Sequence, residues 1–435
     1  MHSTEAKMGR MTLSGFDGIR AFSCLGVIVF HLFQNLDPQH LPHYVQELQS
    51  VILLGNIGVS IFFVLSGALL SYPFWKNWLL GKEMPSLRGY AIKRLSRIAP
   101  GFYLSMFVSL VLSITVFGNV LDARLIERFV AGITFVSSFH WITFFPVEAN
   151  GPLWSIGFEV FCYILLALLM ILMFRFIRKR KISVGLAYWL GIAVLCVALH
   201  LLIVNYLIPS NEGRGWQYGM VGGAKSWMPW YNPISLFNHF LLGIFATGFL
   251  SYLQRMRVKS HWHFDVIVIV VWIAIGVYLV SYRHTYTGFN GELGNIYFWP
   301  WFPLSIAISL CLLPFTQLMG SALDNCLLRY IAKISFGLYI WHYLIIEMLH
   351  VTLFPNFGYM GTKTLSAWYI PALTSLTLSV IVAALSYRYV ERPALRWGHS
   401  QALETEEIPL FTFTSKSDSR GEGRPIIVAT ETGES

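Results

Sequence analysis

Apolar residues in this chain come in runs of about 20, broken by short polar stretches, and each run is long enough to cross a hydrocarbon layer as a helix. Ten such runs are placed, at 15–33, 51–72, 100–118, 153–174, 184–208, 234–253, 264–282, 296–318, 330–351 and 368–390. An eleventh, Phe129 to Phe145, has nearly the right length, and charge decides its fate. If it stays on one side, 24 basic residues fall inside and six outside; if it crosses, the cluster Arg175, Arg178, Lys179, Arg180 and Lys181 lands outside. The preference of lysine and arginine for the cytoplasmic side favours the first arrangement. Both termini are then cytoplasmic, and 129–145 is a re-entrant or interfacial segment on the outer face.

Polar residues inside the runs point to chemistry. In the first run Arg20 and His31 are eleven residues apart. Eleven helical steps overshoot three turns by about 20°, so the two side chains share one face, ~16 Å apart along the axis. Ionisable groups within a span are expensive and usually functional. A fixed cation at one depth and an imidazole at another predict a polar tunnel. The expected fold class is an all-α polytopic membrane protein with about ten transmembrane helices around that tunnel. Asp17 is placed to pair with Arg20. The same two charges interrupt any signal-peptide pattern and no small-residue cleavage site follows, so the segment is read as a retained span.

Composition narrows the class further. Hydrophobic residues make up 55% and charged residues 12%, with a mean hydropathy of +0.58, which a soluble domain does not reach. The formal charge of +9 is no nucleic-acid footprint, because the basic residues sit in short clusters between apolar runs. Cys24, Cys162, Cys196, Cys311 and Cys326 lack framework or metal-ligand spacing, so neither a disulfide nor a metal site is expected. No repeat relates the two halves, which weakens a transporter built by duplication. Glu391-Arg392-Pro393 is expected to end the tenth span, proline stopping the helix. Three regions follow: a cytoplasmic N-terminus over 1–14, a membrane domain over 15–397 and a disordered cytoplasmic tail over 398–435.

Six motifs occur in order. They are Phe16-Asp-Gly-Ile-Arg20 with His31, Gly58-Val-Ser-Ile-Phe-Phe-Val-Leu-Ser-Gly67, Arg94-Leu-Ser-Arg-Ile-Ala-Pro100, Leu153-Trp-Ser-Ile-Gly-Phe-Glu159, Ile334-Ser-Phe-Gly-Leu-Tyr-Ile-Trp-His342 and Leu385-Ser-Tyr-Arg-Tyr-Val-Glu-Arg-Pro393. With these, the chain resembles the integral-membrane acyltransferase 3 family from Gly15 to about Trp397. The resemblance implies transfer of acyl groups, often acetyl, to sugars of surface polysaccharides and other acceptors, in the plasma (inner) membrane. Asn238-His239 departs from the family pattern.

Roles follow from that resemblance and from residue chemistry. Guanidinium forks suit phosphate, so Arg94 and Arg97, with Arg20 assisting, are expected to hold the phosphates of a cytoplasmic acyl-CoA donor. Arg88 and Lys93 read as topology markers. His31 is expected to be catalytic, either as a general base or as a nucleophile that carries the acyl group, against the simpler reading of a structural hydrogen-bonder. Glu159 is expected to orient the imidazole, or to bond the acceptor, or to pair with another cation. His342, Trp154 and Ser155 are expected on the acceptor side, His342 having a structural alternative. The small residues at Gly58 and Leu65-Ser66-Gly67 read as helix packing. The partners expected are acyl-CoA, a carbohydrate acceptor and membrane lipid, with no permanently bound cofactor and no nucleic acid. The alternative function is a transporter or flippase of a lipid-linked sugar.

Overall fold

The computed structural model describes residues 13–207, 215–285 and 290–407. The apolar runs fold as helices, several of which start at a side-chain cap. The first half comprises α1 (Phe16–Phe33), α2 (His43–Ile52), α3 (Gly58–Leu79), α4 (Leu87–Thr115), α5 (Ala123–Ile133), α6 (Trp154–Phe176) and α7 (Ile182–Leu202). The second comprises α8 (Gly219–Trp227), α9 (Pro233–Arg255), α10 (Trp262–Ser281), α11 (Trp301–Leu312), α12 (Met319–Leu323), α13 (Cys326–Thr352), α14 (Leu365–Ser386) and α15 (Arg392–Glu407). Ser86 Oγ accepts the Gly89 amide at the start of α4, Asn232 Oδ1 accepts two amides at the start of α9, and Asn325 Oδ1 accepts the Leu328 amide at the start of α13. Each cap satisfies an amide that would otherwise have no partner in the first turn.

Among the described residues nine helices are long and apolar enough to cross a membrane. The tenth expected span, 296–318, is represented by a shorter apolar helix over Trp301–Phe315. Its beginning is not helical because Tyr297 and Phe298 hold left-handed φ of 52° and 53°. Irregular backbone is tolerated there because Gly294, Asn295 and Ile296 are tied into the bundle. His200 Nε2 lies 2.8 Å from the Gly294 carbonyl, and Asn295 Oδ1 accepts from Ser235 and Asn238. The 129–145 stretch does not span. It holds the end of the short amphipathic α5, then a turn that buries Phe144 and Phe145.

α3 and α9 form the centre. Glycine lets them touch: a Cβ at Gly67 would sit 2.1 Å from the Phe240 carbonyl oxygen, and one at Gly243 would sit 1.9 Å from that of Val64. Ser71 and Thr247 hydroxyls meet at 2.6 Å across the same crossing. Burial follows from this position: 78% of the α9 membrane window is inside the protein, against 17% for those of α7 and α10, which turn apolar side chains outward. α1 lies between α3 and α13, pinned by Ser23 Oγ donating to the Gly58 carbonyl and Cys24 Sγ donating to that of Ser335.

One expectation at the C-terminal end is overturned. Pro393 does not stop the helix. A π-helical turn over Tyr387–Glu391 precedes α15, which places the proline in a first turn, where its missing N–H costs nothing. Helix therefore continues through Glu407, into the part read from sequence as tail. The remainder of that tail, the first twelve residues with Lys7 and Arg10, and residues 208–214 lie outside the described residues.

Candidate active site

α4 starts at Leu87, well before its apolar stretch, so the basic residues ride on its first turns and Arg94 and Arg97 share one face at i and i+3. α1 brings Arg20 against them. Asp17, one turn earlier, approaches Arg20 to 3.9 Å. The three arginines line a cleft that runs inward to Ser66, Ser155, Glu159 and Tyr339. They also line a second space at the mouth, shared with Lys93, Leu395 and His399. Arg94 Nε is buried and has no hydrogen-bond partner. Three like charges converge on one space, one of them with an unused N–H, an arrangement whose chemistry suits a polyanion.

Farther in, polarity changes sign. Glu159 Oε1 accepts from Ser66 Oγ at 3.0 Å and from the Tyr163 hydroxyl. Ser66 reaches it because successive helical positions are rotated by about 100°. Gly67 faces α9 while its neighbour faces the cleft. Ser155 Oγ and the Tyr339 hydroxyl meet at 2.7 Å, both near the Pro152 carbonyl. The Tyr339 and Phe62 rings, with centroids 5.8 Å apart, line the inner part of the cleft.

Past this aromatic layer lie two histidines. His342 is fully buried, its ring centroid 6.0 Å from that of Tyr339 and 5.2 Å from that of His31. His342 Nδ1 sits 3.0 and 2.8 Å from the Leu338 and Tyr339 carbonyls. Carbonyls only accept, so Nδ1 carries a proton. His342 Nε2 is buried without a partner. His31 is arranged alike: Nδ1 donates to Gln34 Oε1 at 3.0 Å. Its ring packs edge-on against Tyr343 at 5.0 Å. The result is a pair of imidazoles 5.2 Å apart, each with its Nδ1 engaged in a hydrogen bond.

The family match decides the identity of this arrangement: a profile described as an acyltransferase domain covers residues 13–386. The chain belongs to the acyltransferase 3 family. Among curated relatives, a protein named "Putative O-acetyltransferase SAR0937" from Staphylococcus aureus (strain MRSA252) is 25% identical over 421 residues, covering 89% of this chain and 59% of the relative. O-acetyltransferase OatA from Staphylococcus aureus (strain NCTC 8325 / PS 47) is 25% identical over 402 residues, covering 89% of this chain and 58% of the relative. The chain thus spans under three-fifths of the length of these curated relatives. No solved structure matches it.

Within this family member the geometry groups the sequence-derived residues in three places. Arg20, Arg94, Arg97, Ser155 and Glu159 line one cleft. His31 and His342 form a pair one aromatic layer beyond it, so Arg20 and His31 share a helix but not a cleft wall. Glu159 has its hydrogen bonds with Ser66 and Tyr163, whereas the hydrogen bond of His31 is to Gln34. Trp154 is not at the cleft. It is buried in an aromatic cluster, stacked on Phe144 at 5.4 Å and edge-on to Tyr231 at 5.5 Å. Sequence reasoning missed Tyr163 and Tyr339 and gave Ser66 only a packing role. Tyr163 had a usable signal, being one helical turn after Glu159.

Proposed function

We propose that this protein is a membrane O-acyltransferase that moves an acyl group, acetyl in the simplest case, from acyl-CoA to a hydroxyl of a carbohydrate or related acceptor. The observation that carries the reading is the convergence of Arg20, Arg94 and Arg97 on a cleft that reaches a carboxylate, with paired imidazoles one aromatic layer beyond its end. Acyl-CoA matches that order, with several phosphates at one end and a thioester at the end of a flexible arm. The O-acetyltransferase names of the relatives support the same class of chemistry.

In the direct route the acceptor hydroxyl attacks the thioester carbonyl, the new C–O bond forms as the C–S bond breaks, and His31 Nε2 takes the hydroxyl proton and returns it to the departing thiolate. In the covalent route His31 Nε2 attacks first, coenzyme A leaves as the thiolate, and the acyl group passes from the imidazole to the hydroxyl. His342 Nε2 then stands close enough to take the proton. Glu159, with Ser66 and Tyr163, sits along the path of the arm and is available to bond the acceptor. The basic mouth faces the cytoplasm in this reading, with both termini on that side and the protein in the plasma membrane, since acyl-CoA is a cytoplasmic donor and lysine and arginine collect there.

The test uses purified full-length protein in lipid nanodiscs with acetyl-labelled acetyl-CoA and a panel of soluble glycosides. Wild type transfers label, and His31→Ala loses at least about 100-fold in rate while binding donor within about twofold of wild type. Full rate in His31→Ala removes that residue from the chemistry. No reaction of wild type with any acyl-CoA, together with movement of a lipid-linked sugar across vesicles, overturns the enzyme reading.

A further inference from the structure

We infer that the acceptor site lies on the far side of the histidine pair from the arginines, is built by Tyr343 and Glu347 of α13, and takes a carbohydrate with no negative charge beside the hydroxyl to be acylated. This rests on the acyltransferase reading above and names the kind of acceptor which that reading leaves open.

α1 and α13 run side by side in the same direction. Cys24 Sγ donates to the Ser335 carbonyl, and about two turns farther along both helices His31 meets Tyr343, with ring centroids 5.0 Å apart. Tyr339 lines the inner end of the arginine cleft. Tyr343 and Glu347 follow it at successive helical turns, so they carry the same face of α13 about 6 and 12 Å beyond it. That face looks into the bundle, since a Cβ on Gly151, just before α6, would sit 3.9 Å from Tyr343 Cε1. His31, Tyr343 and Glu347 nevertheless keep part of their surface accessible, although none of them lines the arginine cleft or its mouth. Their accessible surface therefore belongs to a separate approach, toward which both helices run from the arginine end. The chemistry there differs from that of the cleft. The Glu347 carboxylate lies against the Tyr343 hydroxyl, and Tyr359 of the following loop stands near enough to interact with the same hydroxyl. His350 Nδ1 is 3.7 Å from Glu347 Oε2. The loop is fastened beside His31, because the Met360 amide donates to the Gln34 carbonyl at 2.9 Å and the Gln34 side chain accepts from His31 Nδ1.

A sugar presents what this set can use: an apolar C–H face for a tyrosine ring, and hydroxyls that donate to a carboxylate. With its ring on Tyr343 and one hydroxyl on Glu347, such a ligand offers a further hydroxyl to His31, whose imidazole touches the same tyrosine. A uronic acid or a phosphorylated sugar brings a second anion against Glu347, and none of the residues around it is a lysine or arginine that would offset the repulsion. The two approaches thus sort their ligands by charge, a polyanionic donor at the arginines and an uncharged acceptor at Tyr343 and Glu347.

The experiment uses the full-length protein in nanodiscs with acetyl-labelled acetyl-CoA, at a pH of about 8 to keep accessible imidazoles uncharged. Two acceptor pairs are compared, methyl glucoside with methyl glucuronide and methyl galactoside with methyl galacturonide. Wild type is expected to favour the neutral member of a pair by about tenfold or more in kcat/KM. Glu347→Gln is expected to bring that ratio to within about threefold while binding coenzyme A as wild type does. A merely structural role for the carboxylate predicts instead that both members suffer alike and the ratio stays. Tyr343→Leu is expected to raise KM for both members about tenfold, and Tyr343→Phe, which keeps the ring, by no more than about threefold. Equal use of the two members by wild type, an undiminished ratio in Glu347→Gln, or an unchanged KM in Tyr343→Leu overturns the site while leaving the donor reading intact. Transfer to none of the four sugars by a wild type that binds acetyl-CoA also overturns the site. Failure of wild type to bind acetyl-CoA overturns the underlying reading as well.

Discussion

Arg94→Ala tests the polyanion site most directly because its effects on affinity and on stability should differ. In the free protein Arg94 Nε is buried and unbonded, and a lone buried donor costs about 1–3 kcal/mol. Arg97 lies one turn away on the same face, and two unit charges about 6–8 Å apart at a dielectric between 20 and 80 repel by about 0.5–3 kcal/mol. Alanine removes both penalties. It also removes the packing of a half-buried aliphatic stem, about 1–2 kcal/mol. These terms nearly cancel, so the free protein should unfold within a few degrees of wild type. Donor binding has no such compensation. A lost hydrogen bond to a charged group is worth about 1.5–3 kcal/mol, or a Kd about 10- to 150-fold weaker. Calorimetric titration with coenzyme A and thermal unfolding of the same nanodisc sample read the two quantities. An affinity within twofold of wild type refutes the phosphate role. An affinity loss accompanied by a large fall in Tm would mean that the variant is simply misfolded.

Two further predictions concern the wall and the centre of the bundle. Glu159→Gln preserves size and an acceptor for Ser66 and Tyr163 but removes the charge. It should fold normally, bind coenzyme A at least as well as wild type, and lose about tenfold or more in turnover; unchanged turnover removes Glu159 from the reaction. Gly67→Ala drives a methyl group to 2.1 Å from the Phe240 carbonyl oxygen and should cost about 1–3 kcal/mol, seen as a lower Tm. Gly191→Ala, also in a helix but with nothing within 4 Å of the new methyl, should be neutral or stabilising by up to about 1 kcal/mol, and equal losses at the two glycines would refute the close-packing account.

The arginine pair shows how much of the site could be read from the chain. Arg94 and Arg97 are three apart, so any helix through them places both on one face, and their neighbour Pro100 marks the approach to the apolar stretch. His31 and Arg20 obey the same arithmetic, and α1 is a continuous helix through both. Register along one helix says nothing about what stands in front of it. Phe62 and Tyr339 come from α3 and α13, and their rings meet at the inner end of the arginine cleft, with His342 beside Tyr339. Trp154 went astray for a related reason. Its position beside Ser155 suggested the cleft, but neighbours on a helix are rotated by about 100°, and that rotation carries the indole into the cluster with Phe144 and Tyr231.

Length and apolarity of its runs settled by themselves that this protein is a helical membrane bundle, because a buried backbone must bond within its own segment and about 20 apolar residues do that across a bilayer. The order of its charges and motifs likewise settled the family. Tertiary packing alone decided that Glu159 meets Ser66, that two imidazoles pair beyond Tyr339, and that α15 swings past Pro393 to wall the basic mouth. Those contacts join residues far apart in the chain, and their geometry depends on glycine-mediated approaches and a π-helical turn that local sequence preference does not encode.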